Sequence, residues 1–172
     1  MEFKKGQIIF FRWPSFYSKL ITLYNLKKYG EKGFTHVGII TNVKKNEIQI
    51  HEAISKGFVR SDYPIKFIEN KIKEGIIKVK ESKIKLIYVE DYSNQYLGRP
   101  YAWYDIFGIF ISTLLGFKFL KLTGTKKLIC SEAVSRVLYD SSNKKLNLSK
   151  EYHKPYDYIT PMDIFYSKQV KS

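Results

Sequence analysis

A mixed fold of helices and antiparallel strands is what the sequence predicts, and three stretches predict it. Phe34 to Thr41 and Glu47 to Ala53 are β-rich runs joined by the polar Asn42-Val43-Lys44-Lys45-Asn46, the pattern of a hairpin. Leu128 to Leu138 instead spaces Ile129, Ala133, Val134, Val137 and Leu138 by three and four residues, the pattern of a helix with one buried face. Thr160-Pro161-Met162-Asp163 supplies a capping Thr, Pro at the first helical position and an acid in the first turn, which starts a further helix. With 172 residues and no linker or internal repeat, the chain reads as a single domain, residues 1–172, long enough to bury a core.

The remaining elements follow in chain order. Gly6 to Phe11 reads as a short buried strand after a turn residue, broken by Trp13-Pro14-Ser15. Ser15 suits the cap of a helix from Phe16 to Tyr24, with Phe16, Leu20, Leu23 and Tyr24 on one face, and Lys27 to Gly33 reads as a loop. Ile54 to Tyr63 reads as a return loop turning at Gly57, Ile65 to Asn70 as a short helix or strand, and Gly75 to Lys80 as another strand. Ile84 to Tyr96 has helical spacing and is ended by Gly98 and Pro100. Trp103 to Leu122 is the most apolar region, but Asp105 and Lys118 leave only twelve uncharged residues between them. A bilayer crossing needs about 20, so a buried core helix is expected there, with a membrane-touching hairpin as the alternative. Ser141 to Lys154 reads as a polar loop.

The net charge is +14, from 30 Lys and Arg against 16 Asp and Glu. Arg occurs only at Arg12, Arg60, Arg99 and Arg136. Specific base readout leans on bidentate Arg, and the Lys residues here are dispersed, so specific nucleic-acid recognition is not expected. Salt-sensitive attraction to an anionic polymer or membrane surface stays open. A single cysteine excludes an internal disulfide. The first residues lack the apolar run and cleavage site of a secretory signal, which makes a cytoplasmic location the default. No metal or cofactor is expected.

The chemistry concentrates on that cysteine. Cys130 falls where the polar Thr123-Gly124-Thr125-Lys126-Lys127 gives way to the buried-face helix. Unpaired N–H groups there carry roughly half an elementary charge, which lowers a thiol pKa and favours the nucleophilic thiolate. Position alone does not assign the role, because free cysteine is also among the most buried residue types. The hairpin offers its partners. Ile48, Ile50 and Glu52 share one face of the second strand, Gln49 and His51 the other. A carboxylate in line with core-facing isoleucines needs a partner. If residue numbers across the hairpin sum to 88, His36 lies opposite Glu52. If they sum to 90, the two are diagonal neighbours on one face. An odd sum sends His36 to the face of Gln49 and His51. The apolar alternation favours Glu52. The set then comprises a cysteine nucleophile, a histidine base and an acid that orients the imidazole, with Nδ1–H donated to the acid in one tautomer.

Six short segments in order carry a family resemblance. They are Gly6-Gln7-Ile8-Ile9-Phe10-Phe11, Phe34-Thr35-His36-Val37-Gly38-Ile39-Ile40, His51-Glu52-Ala53, Leu97-Gly98-Arg99-Pro100-Tyr101, Ile129-Cys130-Ser131-Glu132-Ala133-Val134 and Thr160-Pro161-Met162-Asp163-Ile164. In this order they resemble the permuted branch of the NlpC/P60 superfamily, the YiiX/YaeF-like papain-fold amidases. His precedes Cys here, as in that branch, whereas ordinary NlpC/P60 enzymes have Cys first. The resemblance implies an α+β, circularly permuted papain-like fold with the antiparallel sheet packed against the nucleophile helix. It also implies Cys130 as nucleophile, His36 as base and Glu52 as orienting acid.

The resemblance implies cleavage of amide bonds in peptides or cell-wall fragments. The related lecithin:retinol acyltransferase-like group, which acts on lipid esters and amides, provides the alternative of a lipid thioesterase or acyltransferase. A third reading is a non-catalytic module that binds an anionic polymer or membrane. Ile129 stands where many relatives carry an aromatic, which bears on substrate preference. Tyr101 and Trp103 are candidates for the substrate groove, with Tyr139, further along the Cys130 helix, as a third. Glu132 is expected to face the helix dipole, and His153 to be solvated.

Overall fold

Ile8-Ile9-Phe10-Phe11 is apolar at every position because both faces of that strand are covered. All four side chains are buried. The computed structural model describes residues 2–13, 16–102 and 127–171. Its elements are β1 (Ile8–Phe11), α1 (Phe16–Tyr29), β2 (His36–Val43), β3 (Glu47–Ile54), β4 (Gly57–Pro64), α2 (Ile65–Lys73), β5 (Ile77–Ser82), α3 (Val89–Asn94), α4 (Cys130–Ser141), α5 (Leu148–Tyr152), a 3-10 turn (Tyr156–Tyr158), α6 (Pro161–Tyr166) and β6 (Val170–Lys171). The strands form one sheet in the order β4-β3-β2-β1-β5-β6, antiparallel at every junction. The fold is α+β.

The alternation of side chains across the strands divides the core in two. Ile8, Phe10, Val37 and Ile39 point to the face covered by α4, where Ala133, Val134 and Val137 meet them. Ile9, Phe11, Ile40, Ile48 and Ile50 point to the other face, closed by Ile68 of α2. At roughly 1.5–3 kcal/mol for each fully buried large aliphatic or aromatic side chain, both layers contribute heavily to stability.

Four expectations need correction. Gly57 to Pro64 is a strand rather than a return loop. As an edge strand it exposes alternate residues, and its polar Arg60, Ser61 and Asp62 hide the periodicity. Gly57 does turn the chain, with φ of 108°. α1 runs five residues beyond Tyr24 and ends at Gly30, whose left-handed φ of 74° suits a helix terminus and whose N–H returns to the Leu26 carbonyl. Its buried polar side chains are Ser18 and Asn25, while Leu23 lies outside. The segment from Ile84 is helical only from Val89, because Tyr88 is left-handed and the Ile87 N–H bonds the Ser141 carbonyl. Leu148–Tyr152 is a helical turn inside the expected loop, capped by the Asn147 side chain. The Thr160 helix start is as the sequence predicts, with Thr160 and Asp163 capping each other reciprocally. The apolar Trp103 to Leu122 region and the Ser15 cap lie outside the described residues.

Candidate active site

Cys130 is the first residue of α4. Ile129 before it is extended, with φ of −96° and ψ of 161°, so the chain turns from strand-like to helical at the sulfur. Three contacts hold that corner. Leu128 exchanges backbone hydrogen bonds with Pro100 and Ala102, bringing Tyr101 alongside. Ser131 Oγ donates to the Ile159 carbonyl at 2.6 Å. Cys130, Ala133, Val134 and Val137 belong to the core shared with β2.

The hairpin brings in the other two groups. Gly38–Glu52, Ile39–His51 and Ile40–Ile50 are opposite one another. That is the 90 register, so His36 and Glu52 are diagonal neighbours. Nearer the turn the pairs become Asn42–Gln49 and Val43–Ile48, with Thr41 as the extra residue of a bulge. Gly38, directly opposite Glu52, leaves the space the acid leans across. A Cβ there would lie 2.6 Å from Ile50 Cγ2 and 3.3 Å from Glu52 Cβ. Glu52 Oε2 meets His36 Nε2 at 2.7 Å. The acid therefore engages Nε2 rather than Nδ1, because it approaches diagonally from the neighbouring strand. Nδ1 is the ring nitrogen that the acid does not engage, and His36 and Cys130 shift each other's pKa.

Electrostatics follow from this order. Burial opposes charge on Cys130, but the His36 charge, its hydrogen bond and the backbone N–H groups of Val37 and Ser131 pull the thiol pKa down. Burial also opposes charge on His36, yet the Cys130 thiolate and Glu52 raise its pKa to about 10. Glu52 is only 1 % exposed. Burial pushes its pKa up, and His36, Ser61 and Tyr63 outweigh that and hold it below the usual carboxylate range. Tyr63 Oη donates to Glu52 Oε1 at 2.8 Å. His51 sits on the other face of β3 and makes no part of this set. Its Nδ1 meets Ser93 Oγ at 2.8 Å, and burial with nearby Arg60 lowers its pKa to about 4.

A cleft of about 250 Å³ opens beside His36 and Glu52, walled by Trp13, Ile21, Tyr63 and Tyr101. Tyr101 is thus in the groove. Trp103 lies outside the described residues. Tyr139 is not in the groove. It lies nine residues along α4, about 13 Å along the axis, and its ring packs on Tyr156 at 6.0 Å. Glu132 is buried and pairs with Arg136 one turn on, with Arg136 Nη2 at 3.0 Å from Glu132 Oε1. His153 is exposed, in a left-handed helix cap. Sequence reasoning missed Trp13, Ser61, Tyr63 and Thr35, which also lines the cleft. The alternating aromatic and polar residues of β4 were the available signal for Ser61 and Tyr63.

No protein-family model matches the chain, and no curated protein does. Among the described residues no helix is long and apolar enough to cross a membrane, and no group of three His, Cys, Asp or Glu side chains is gathered as a metal site.

Proposed function

We propose that this chain is a cysteine hydrolase that cleaves amide bonds through an acyl-enzyme on Cys130, in peptides or cell-wall-type fragments, and that its fold is the permuted papain-like arrangement of the NlpC/P60 superfamily. One observation carries the reading. His36 is bonded through Nε2 to a buried carboxylate and is electrostatically paired with a cysteine at a helix start. In the reaction, the Cys130 thiolate attacks the amide carbonyl carbon, and backbone N–H groups at the start of α4 hold the oxyanion. The His36 imidazolium gives its proton to the leaving amine. Neutral His36 then takes a proton from water, whose oxygen attacks the thioester carbonyl; the C–S bond breaks, releasing the acid and restoring the Cys130 thiolate beside the His36 imidazolium. Glu52 holds the ring in place through both steps.

A second reading is favoured by the cleft wall. Trp13, Ile21, Ala53 and Ile54 suit an acyl chain, which fits a lipid thioesterase or acyltransferase using the same three residues.

The test is the rate of Cys130 alkylation by iodoacetamide against pH, paired with hydrolysis of amide and thioester reporters. An alkylation pKa well below about 8.5, rising in His36→Ala, supports the pair, and Cys130→Ala should abolish turnover while leaving the circular dichroism spectrum unchanged. An ordinary thiol pKa, unmoved by His36→Ala, would reject the hydrolase reading.

A further inference from the structure

Glu52 has two carboxylate oxygens and only one of them faces the imidazole. Oε2 takes the His36 contact at 2.7 Å, and Oε1 accepts the Tyr63 phenol at 2.8 Å. Ser61, also from β4, lies near both and helps to keep the Glu52 pKa low. The Tyr63 ring is fixed as well. It stacks on Phe67 with centroids 6.1 Å apart and planes at 13°, and Phe67 continues to Trp13 at 6.3 Å. Trp13 stacks on Phe11 at 5.4 Å, and Phe11 touches both Tyr63 and His36. Four rings thus close a circuit that starts and ends at Tyr63 and leans on the imidazole.

Resting on the cysteine-hydrolase reading, we infer that Tyr63 is a positioning residue for His36, acting through Glu52 and extending the set to Tyr63–Glu52–His36–Cys130. A buried carboxylate keeps its charge only with donors around it. The phenol supplies one donor without adding positive charge, so Glu52 stays ionised while its attraction for the imidazolium is not shared with a competing cation. Tyr63 also lines the cleft. Tyr63 therefore links the cleft wall to the acid that holds His36.

The experiment measures the Cys130 alkylation pKa with iodoacetamide in wild type, Tyr63→Phe, Glu52→Gln, the double variant and His36→Ala, with thermal melts of each. Tyr63→Phe keeps the ring stack and removes only the donor. It should raise the alkylation pKa by less than the roughly one pH unit that such a bond is worth at Glu52 itself, because the loss reaches Cys130 only through His36. In the Glu52→Gln background the same change should shift it no further, because the effect passes through the carboxylate. A Tyr63→Phe variant that leaves the pKa of the wild-type background unmoved, or moves both backgrounds equally, overturns the inference while the Cys–His pair stands. His36→Ala without effect overturns the pair itself, and Tyr63 with it.

Discussion

The two buried histidines of the hairpin teach by contrast. His36 and His51 lie on adjacent strands, on opposite faces of one sheet. His51 is fully buried and His36 nearly so, at the edge of the cleft, and burial pushes both toward the neutral form. His36 faces a carboxylate and a thiol, and its pKa climbs to about 10. His51 faces a serine hydroxyl and a guanidinium, and its pKa falls to about 4. Burial does not decide what a histidine does. The charge type set before it by the register decides, and here the register separates a protonated imidazole from a neutral one across one sheet's thickness.

The sharpest way to break that contrast is to remove each ring in turn. His36→Gln should slow amide hydrolysis about a thousandfold, the scale of a lost general acid–base, with little change in melting. His51→Gln should instead lower the melting temperature and leave the Cys130 alkylation profile in place. The reverse pattern in the two assays would show that the roles are exchanged.

Acid unfolding sharpens the contrast next. His51 has a depressed folded pKa, so the unfolded chain binds its proton first as pH falls. Stability should therefore drop between pH 6.5 and about 4, by roughly 3 kcal/mol in urea melts. His51→Gln should flatten that part of the curve. The His36–Cys130 pair behaves differently. Between about pH 6.5 and 8.5 the folded thiolate–imidazolium and the unfolded thiol–imidazole hold the same number of protons. The pair therefore adds no slope in that window. Above it the raised His36 pKa makes stability fall as pH climbs toward 10.

Smaller effects come from the acid and the space around it. Glu52→Gln should slow hydrolysis while the thiol and imidazole remain, since the ring loses its orienting charge. An NMR titration should show the His36 pKa falling below about 10 but staying raised, because Cys130 still faces the ring, while His51 stays near 4. Gly38→Ala should cost about 1–3 kcal/mol by crowding Ile50 and Glu52. It should also weaken the His36 shift, and an unshifted His36 in a folded Gly38→Ala protein would show that the empty space is incidental.

Much of this was legible before the structure. The apolar alternation of Ile48 and Ile50 pointed to Glu52 over His51, and the structure brings Glu52 to His36. The three- and four-residue spacing after Leu128 marked α4 because that helix buries one side on a sheet. What stayed hidden has physical causes. Which ring nitrogen meets the acid depends on a diagonal approach, which pattern alone does not carry. The bulge at Thr41 leaves both strands apolar on either side of it. The β4 stretch has the pattern of a loop because an edge strand needs few apolar residues, and this masks Ser61 and Tyr63. Tyr139 is in the same helix as Cys130, but its nine-residue separation puts it near the far end of α4.

One backbone feature reaches further than the site. Leu128 is clamped to Pro100 and Ala102 by hydrogen bonds of 3.0 Å each. The bridge is a splint set two residues upstream of Cys130: the same two bonds that brace the backbone entering α4 also fix Tyr101 in the cleft wall.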